Sequence, residues 1–156
     1  MHRVSLALLS LLVACAPLCA QEEPAGVTAE AEKLINRIAQ RPERAWDYAC
    51  TLRRMDTGED AAKLSALFER GLDHENAWVR LACARLLMAR GNGETAYDTL
   101  GALLSESDAA IVEGAATLIS DECPDDEELV AKLREAWKKS AKWPAGARVA
   151  LSEALF

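Results

Sequence analysis

The side chains able to do chemistry in this chain are few and widely spaced. Beyond residue 20 there is one histidine, His74, and three cysteines, Cys50, Cys83 and Cys123. A zinc site gathers three or four nitrogen or sulfur ligands at helical or hairpin spacing, and a single histidine does not supply that pattern. The densest carboxylate group is Asp121, Glu122 and Asp125 to Glu128. It lacks the glycine and the alternating ligands of an EF-hand loop, so it reads as acidic capping of a helix that begins near residue 125. There is no Gly-rich phosphate loop, no nucleophile elbow and no Cys-His pairing. No catalytic, cofactor-binding or metal-ligating residue is therefore assigned, no cofactor is expected, and the chain reads as a non-enzyme.

Four tryptophans offer another chemistry, that of aromatic walls around a ligand. Trp46 and Trp137 share spacing with apolar residues elsewhere and read as packing, whereas Trp78 and Trp143 sit near turns and are the better candidates for exposed contacts, with burial the leading expectation for both. Cys50 and Cys83 lie 33 residues apart, at equivalent sites of neighbouring repeats. Stacked helices run about 8–10 Å apart, beyond the roughly 7 Å over which a disulfide spans two Cα atoms. Both cysteines thus read as small buried packing residues.

Charge limits the partners. The 156 residues carry a formal charge of −7, and residues 91–131 hold eleven acidic side chains with no lysine or arginine. A basic stretch, Lys132 to Lys142, follows. Nucleic acid is not expected, because the phosphate backbone calls for a basic stripe. A basic protein or peptide is the better match.

Residues 1–20 differ from the rest. Arg3 precedes an uncharged run from Val4 to Ala14. Eleven residues of helix reach roughly 16 Å, short of a bilayer core of about 30 Å. The stretch reads as a secretory signal, with two readings open: cleavage after Ala20, or lipidation at Cys15 in the lipobox-like Leu12-Val13-Ala14-Cys15. The first implies a periplasmic or secreted protein, the second a membrane-anchored lipoprotein. Membrane contact is expected only through that lipidation. Residues 21–27 read as a linker.

The rest of the chain, 28–156, repeats. At intervals of 33 residues Leu34, Leu67, Leu100 and Leu133 align, as do Ala31, Leu64, Tyr97 and Val130 three positions earlier. Spacing of i, i+3 puts each pair on one helical face. A second helix follows each, with columns Trp46, Val79, Val112 and Ala49, Ala82, Ala115, while the fourth unit drifts by two to Ala147 and Ala150. Thr28, Thr57 and Asp125 are the N-caps expected from this pattern, and Gly71, Gly91 and Gly93 fall where helices should end. The pattern predicts helices near 28–40, 42–55, 59–70, 75–90, 94–105, 108–120, 125–140 and 144–156. The fold class is all-α: about four helical hairpins stacked as an α-α superhelix, or solenoid, after the signal segment.

The segment DHENAWVRLACARLLMARGN, residues 73–92, resembles the turn and second helix of a HEAT repeat, in its short bacterial form. Asp73, Val79-Arg80, Ala82, Ala84 and Leu86-Leu87 carry the likeness. Residues 107–120 keep Asp108, Val112 and Ala115-Ala116 but place Glu113 where the arginine belongs. The resemblance implies that Arg80 ties adjacent repeats through a turn carboxylate, Asp73 or Asp108. It also implies an extracytoplasmic protein-binding scaffold whose second helices line a concave side. Asp47, Tyr48, Arg80 and Glu113 are the expected partner contacts. The alternatives are the helical scaffold of an enzyme similar to the phycobilin lyases, and a purely structural subunit.

Overall fold

The computed structural model describes residues 26–55, 60–122 and 126–156. The signal segment with Cys15, most of the linker, Thr57, Cys123 and Asp125 lie outside these. Among the described residues the chain is 82% helical, with eight α-helices and no strand.

Helix α1 (Val27–Gln40) combines strong helix formers with a clear apolar pattern. Ala31, Leu34, Ile35 and Ile38 fall at i, i+3, i+4 and i+7 and are buried, with Glu30 in the first turn and Arg37 in the last, the order the helix dipole favours. Its N-cap is Gly26, which makes no side-chain cap bond. Thr28, the expected cap, lies inside the helix. Pro42 then starts a short 3-10 turn, Pro42–Arg44, so the α-helical part of the second element is α2 (Ala45–Met55).

After α3 (Ala61–Gly71), Asn76 begins α4 (Ala77–Met88). Its side-chain oxygen accepts from Trp78 N at 2.9 Å and Val79 N at 3.4 Å, meeting two of the donors a helix start leaves unsatisfied. Its Nδ2 donates to Ala39 O, 3.3 Å away, fastening this cap to the end of α1. Helix α4 is buried almost all round, from Val79 through Leu81–Ala84 to Leu86–Met88, as a central helix must be. It ends where Gly91 takes φ +77°, a left-handed conformation that costs glycine little.

A 3-10 turn, Gly93–Ala96, leads into α5 (Tyr97–Leu103), then α6 (Ala109–Glu122). Helix α7 (Glu127–Lys139) is capped by Asp126, one residue later than expected, whose Oδ1 accepts from Glu128 N at 2.9 Å and Leu129 N at 3.0 Å. The last element, α8 (Ala145–Glu153), follows Pro144.

Consecutive helices pack as pairs, α1 on α2, α3 on α4, α5 on α6 and α7 on α8. Between pairs, α1 meets α3, α2 meets α4, α4 meets α6, α5 meets α7 and α6 meets α8. The four aligned leucines, Leu34, Leu67, Leu100 and Leu133, are all buried, as are Ala49, Ala82, Ala115, Ala147 and Ala150. The packing is close. A methyl group at Gly71 would run into Sγ of the buried Cys83 on α4.

One register differs from the 33-residue pattern. The buried face of α4 runs through Val79, Ala82, Cys83 and Leu86, but that of α2 runs through Ala45, Tyr48, Ala49 and Leu52, a step of 34. From Leu34 to Ala45 is 11 residues, whereas Leu67 to Val79 is 12. The tight Pro42–Arg44 turn shortens the first connection and rotates α2 by one position, about 100°. This corrects three expectations together: Trp46 and Cys50 face solvent, and Tyr48 is buried. On α7 the buried face is Leu129, Leu133 and Ala136, so Leu133 keeps its place in the pattern while Ala136 takes the core position and Trp137 is exposed.

Overpacking sets a test. Gly71→Ala should lower the stability of the fold by about 1–3 kcal/mol, measured by urea unfolding followed by circular dichroism. Adding Cys83→Ala should recover part of the loss by vacating the space the new methyl enters.

Candidate functional site

The second helices α2, α4 and α6 lie side by side, and a cleft of about 350 Å³ opens across them. Trp46 comes from α2, Trp78 and Arg85 from α4, and Glu113, Gly114 and Asp121 from α6. The rotation of α2 described above is what brings Trp46 here. Its indole, 36% exposed, meets that of Trp78 edge-on, with ring centroids 6.3 Å apart and planes at 78°. The Arg85 guanidinium lies over the Trp46 ring, 4.7 Å from its centroid. Such a contact is a cation–π interaction.

The opposite wall is acidic. Glu113 is half-buried, and a methyl group added at Gly146 would stand 2.7 Å from both of its carboxylate oxygens. Glycine at the start of α8 therefore makes room for this carboxylate. Asp121, two turns further along α6, is exposed. Neither carboxylate is ion-paired among the described residues. Indoles on one side and carboxylates on the other are the complement of an organic cation.

The four expected contacts separate. Glu113 lines the cleft. Asp47 is exposed but lies off it, held 3.2 Å from Arg44 Nε across one turn. Tyr48 is only 9% exposed, its ring covered by Arg44 at 5.3 Å, so it offers no free face to a partner. That is a correction, and its cause is the rotation of α2.

Arg80 is spent on the fold. Nη1 donates to His74 O at 2.8 Å and Glu75 O at 2.9 Å, and Nη2 pairs with Glu106 at 2.6 Å. The side chains are 19% and 35% exposed. Arg80 thus ties the turn before α4 to the turn before α6, as the resemblance implied, but through Glu106. Asp108 is used differently, accepting from Ala110 N at 2.9 Å at the start of α6. His74 also serves the turn, its Nδ1 accepting from Asn76 N at 2.9 Å.

Trp46, Arg85 and Asp121 were not among the expected contacts, and Trp78 was named only as a candidate exposed tryptophan. The arginine's position on α4 relative to Trp78, seven residues on, was a readable signal, since i and i+7 share a face. Trp78 and Trp143 are half-buried against the core. Cys50 and Cys83 are free thiols, and burial pushes the Cys83 thiol up to about 12. Among the described residues no group of three His, Cys, Asp or Glu is placed to hold a metal ion, and no helix is long and apolar enough to cross a membrane.

Fold and site define a class: an all-helical protein with an aromatic and acidic cleft across α2, α4 and α6. No family model, curated protein or solved structure matches the chain.

Two outcomes are expected. Arg80→Ala leaves two turn carbonyls and Glu106 without their donor and should cost about 2–3 kcal/mol, with Arg80→Lys recovering less than half because an ammonium lacks the planar fork. Chemical denaturation of the three proteins checks this. In native protein a maleimide should label Cys50 readily, and Cys83 only after unfolding, as mass spectrometry of the digested protein would read.

Proposed function

We propose that this chain is a non-enzymatic interaction module, a short HEAT-like solenoid of four helical hairpins that binds a basic segment of another protein or a basic peptide in the cleft across α2, α4 and α6. The observation that carries this reading is the pairing of Trp46 and Trp78 with Glu113 and Asp121, two carboxylates without an ion pair among the described residues, around one concavity. Aromatic residues anchor interfaces because they bury much area with little loss of conformational freedom. Carboxylates around them favour a cationic partner and speed its approach.

The solenoid reading draws support from the helix pairings, which join each hairpin to the next, and from the buried leucine and alanine columns. The HEAT-like reading adds the Arg80 tie between successive turns and the motif of residues 73–120. The apolar, uncharged run of residues 4–14 supports a site of action outside the cytoplasm.

Titration of the intact chain with a capped arginine- and lysine-containing peptide, against an acidic peptide of equal length, tests the proposal. The basic peptide should bind and weaken as salt rises. Glu113→Gln and Asp121→Asn should each weaken it by about threefold. Tighter binding of the acidic peptide, or an affinity unmoved by both substitutions, would refute the reading.

A further inference from the structure

Among the described residues that line the cleft, Arg85 is the one cation. It is exposed and forms no ion pair with the described residues, although Glu113 and Asp121 line the same concavity. Its guanidinium rests instead on the face of Trp46. Trp46 is exposed at this cleft because α2 is rotated out of the 33-residue register, and its ring meets that of Trp78 in an edge-on pair.

We propose, resting on the reading of the cleft as the seat of a basic segment, that the Trp46 face is a guanidinium seat, that the partner places an arginine there, and that Arg85 holds the seat until it is displaced. The chain's own side chain demonstrates the fit: a guanidinium already sits over this indole, 4.7 Å from the ring centroid. An incoming arginine makes the same contact. It also brings its remaining N–H donors toward the acidic wall, which Arg85 does not pair with. Arginine is favoured over lysine because its charge is planar, weakly hydrated and able to stack while still donating at its edge, whereas an ammonium is a compact and strongly hydrated charge. Arg85 is displaceable because its hold is a single exposed cation–π contact, a factor of roughly two to five in affinity. While seated it also repels the cation that would replace it.

The consequence is unusual for a residue lining a binding site: its removal strengthens binding. The intact chain and its Arg85→Gln variant are titrated by calorimetry with a capped peptide of alternating glycine and arginine, and with the lysine counterpart. Arg85→Gln should bind the arginine peptide roughly two- to fivefold more tightly, with a smaller gain for the lysine peptide. In a Trp46→Leu background the gain from Arg85→Gln should shrink to what the lost charge repulsion alone gives and become equal for the two peptides, because the contested seat is gone. Arg85 is exposed, so unchanged thermal melting verifies that the variant is folded. If wild type binds the arginine peptide and Arg85→Gln binds it equally or less well, the displacement proposal is wrong while the basic-segment reading stands. An equal gain for the lysine peptide overturns the preference for arginine. If neither protein binds either peptide, both readings fall.

Discussion

No helix of this chain can bury its apolar stripe alone, and every other feature follows from that. A fully buried leucine contributes about 1.5–3 kcal/mol, while ordering each residue of a helix costs about 1–2 kcal/mol in backbone entropy. One hairpin with three or four core residues per helix does not recover that cost, so each pair depends on its neighbours. Helix α4 shows the dependence most plainly. It is apolar on nearly every side because it packs against α2, α3, α5 and α6 as well as α1, and its cap Asn76 reaches to Ala39 at the end of α1.

Small residues and short turns then decide what remains outside. The connection between α1 and α2 is one residue shorter than that between α3 and α4, and the whole face of α2 turns as a result. Tyr48 goes into the core, where a hydroxyl-bearing ring is a costlier occupant than leucine unless it keeps a wet edge. Trp46 comes out beside Trp78 and Arg85. A difference of one residue in a turn thereby converts what would have been a core tryptophan into the wall of a cleft.

Much of the fold was legible in the sequence because burial repeats with the helical period. The four leucines, the alanine columns and the two-residue drift to Ala147 and Ala150 all fall where the pattern put them, and helix positions agree to within a few residues. The site was less legible. Its walls come from three helices, and which side chains face it depends on rotations that a fixed step of 33 averages away. Tyr48 was expected to be exposed and Trp46 buried for that single reason. The shift from Asp125 to Asp126 as the cap of α7 has a more local origin, since neighbouring aspartates compete for the same two amide donors and the chain can use only one. Glu113 was identifiable because it stands at the arginine position of the repeat, where a change of charge has no use in packing.

The two arginines of α4 show how magnitude separates structure from recognition. Arg80 makes three charge-assisted contacts in a region only 19% exposed on its own side chain, and losing them together costs about 2–3 kcal/mol. No partner could offer enough to draw it away. Arg85, five residues on, has one solvent-facing stack worth about 0.5–1 kcal/mol. Sequence alone gives both the same charge and the same helix. The difference lies in what each guanidinium can reach: backbone carbonyls and Glu106 across a turn for Arg80, an indole face at the lip of a cleft for Arg85. An interaction strong enough to organise two turns is unavailable for exchange, and one weak enough to exchange contributes little to the fold. On this energetic ground Arg80 belongs to the scaffold, and Arg85 is the arginine that the proposed partner can displace.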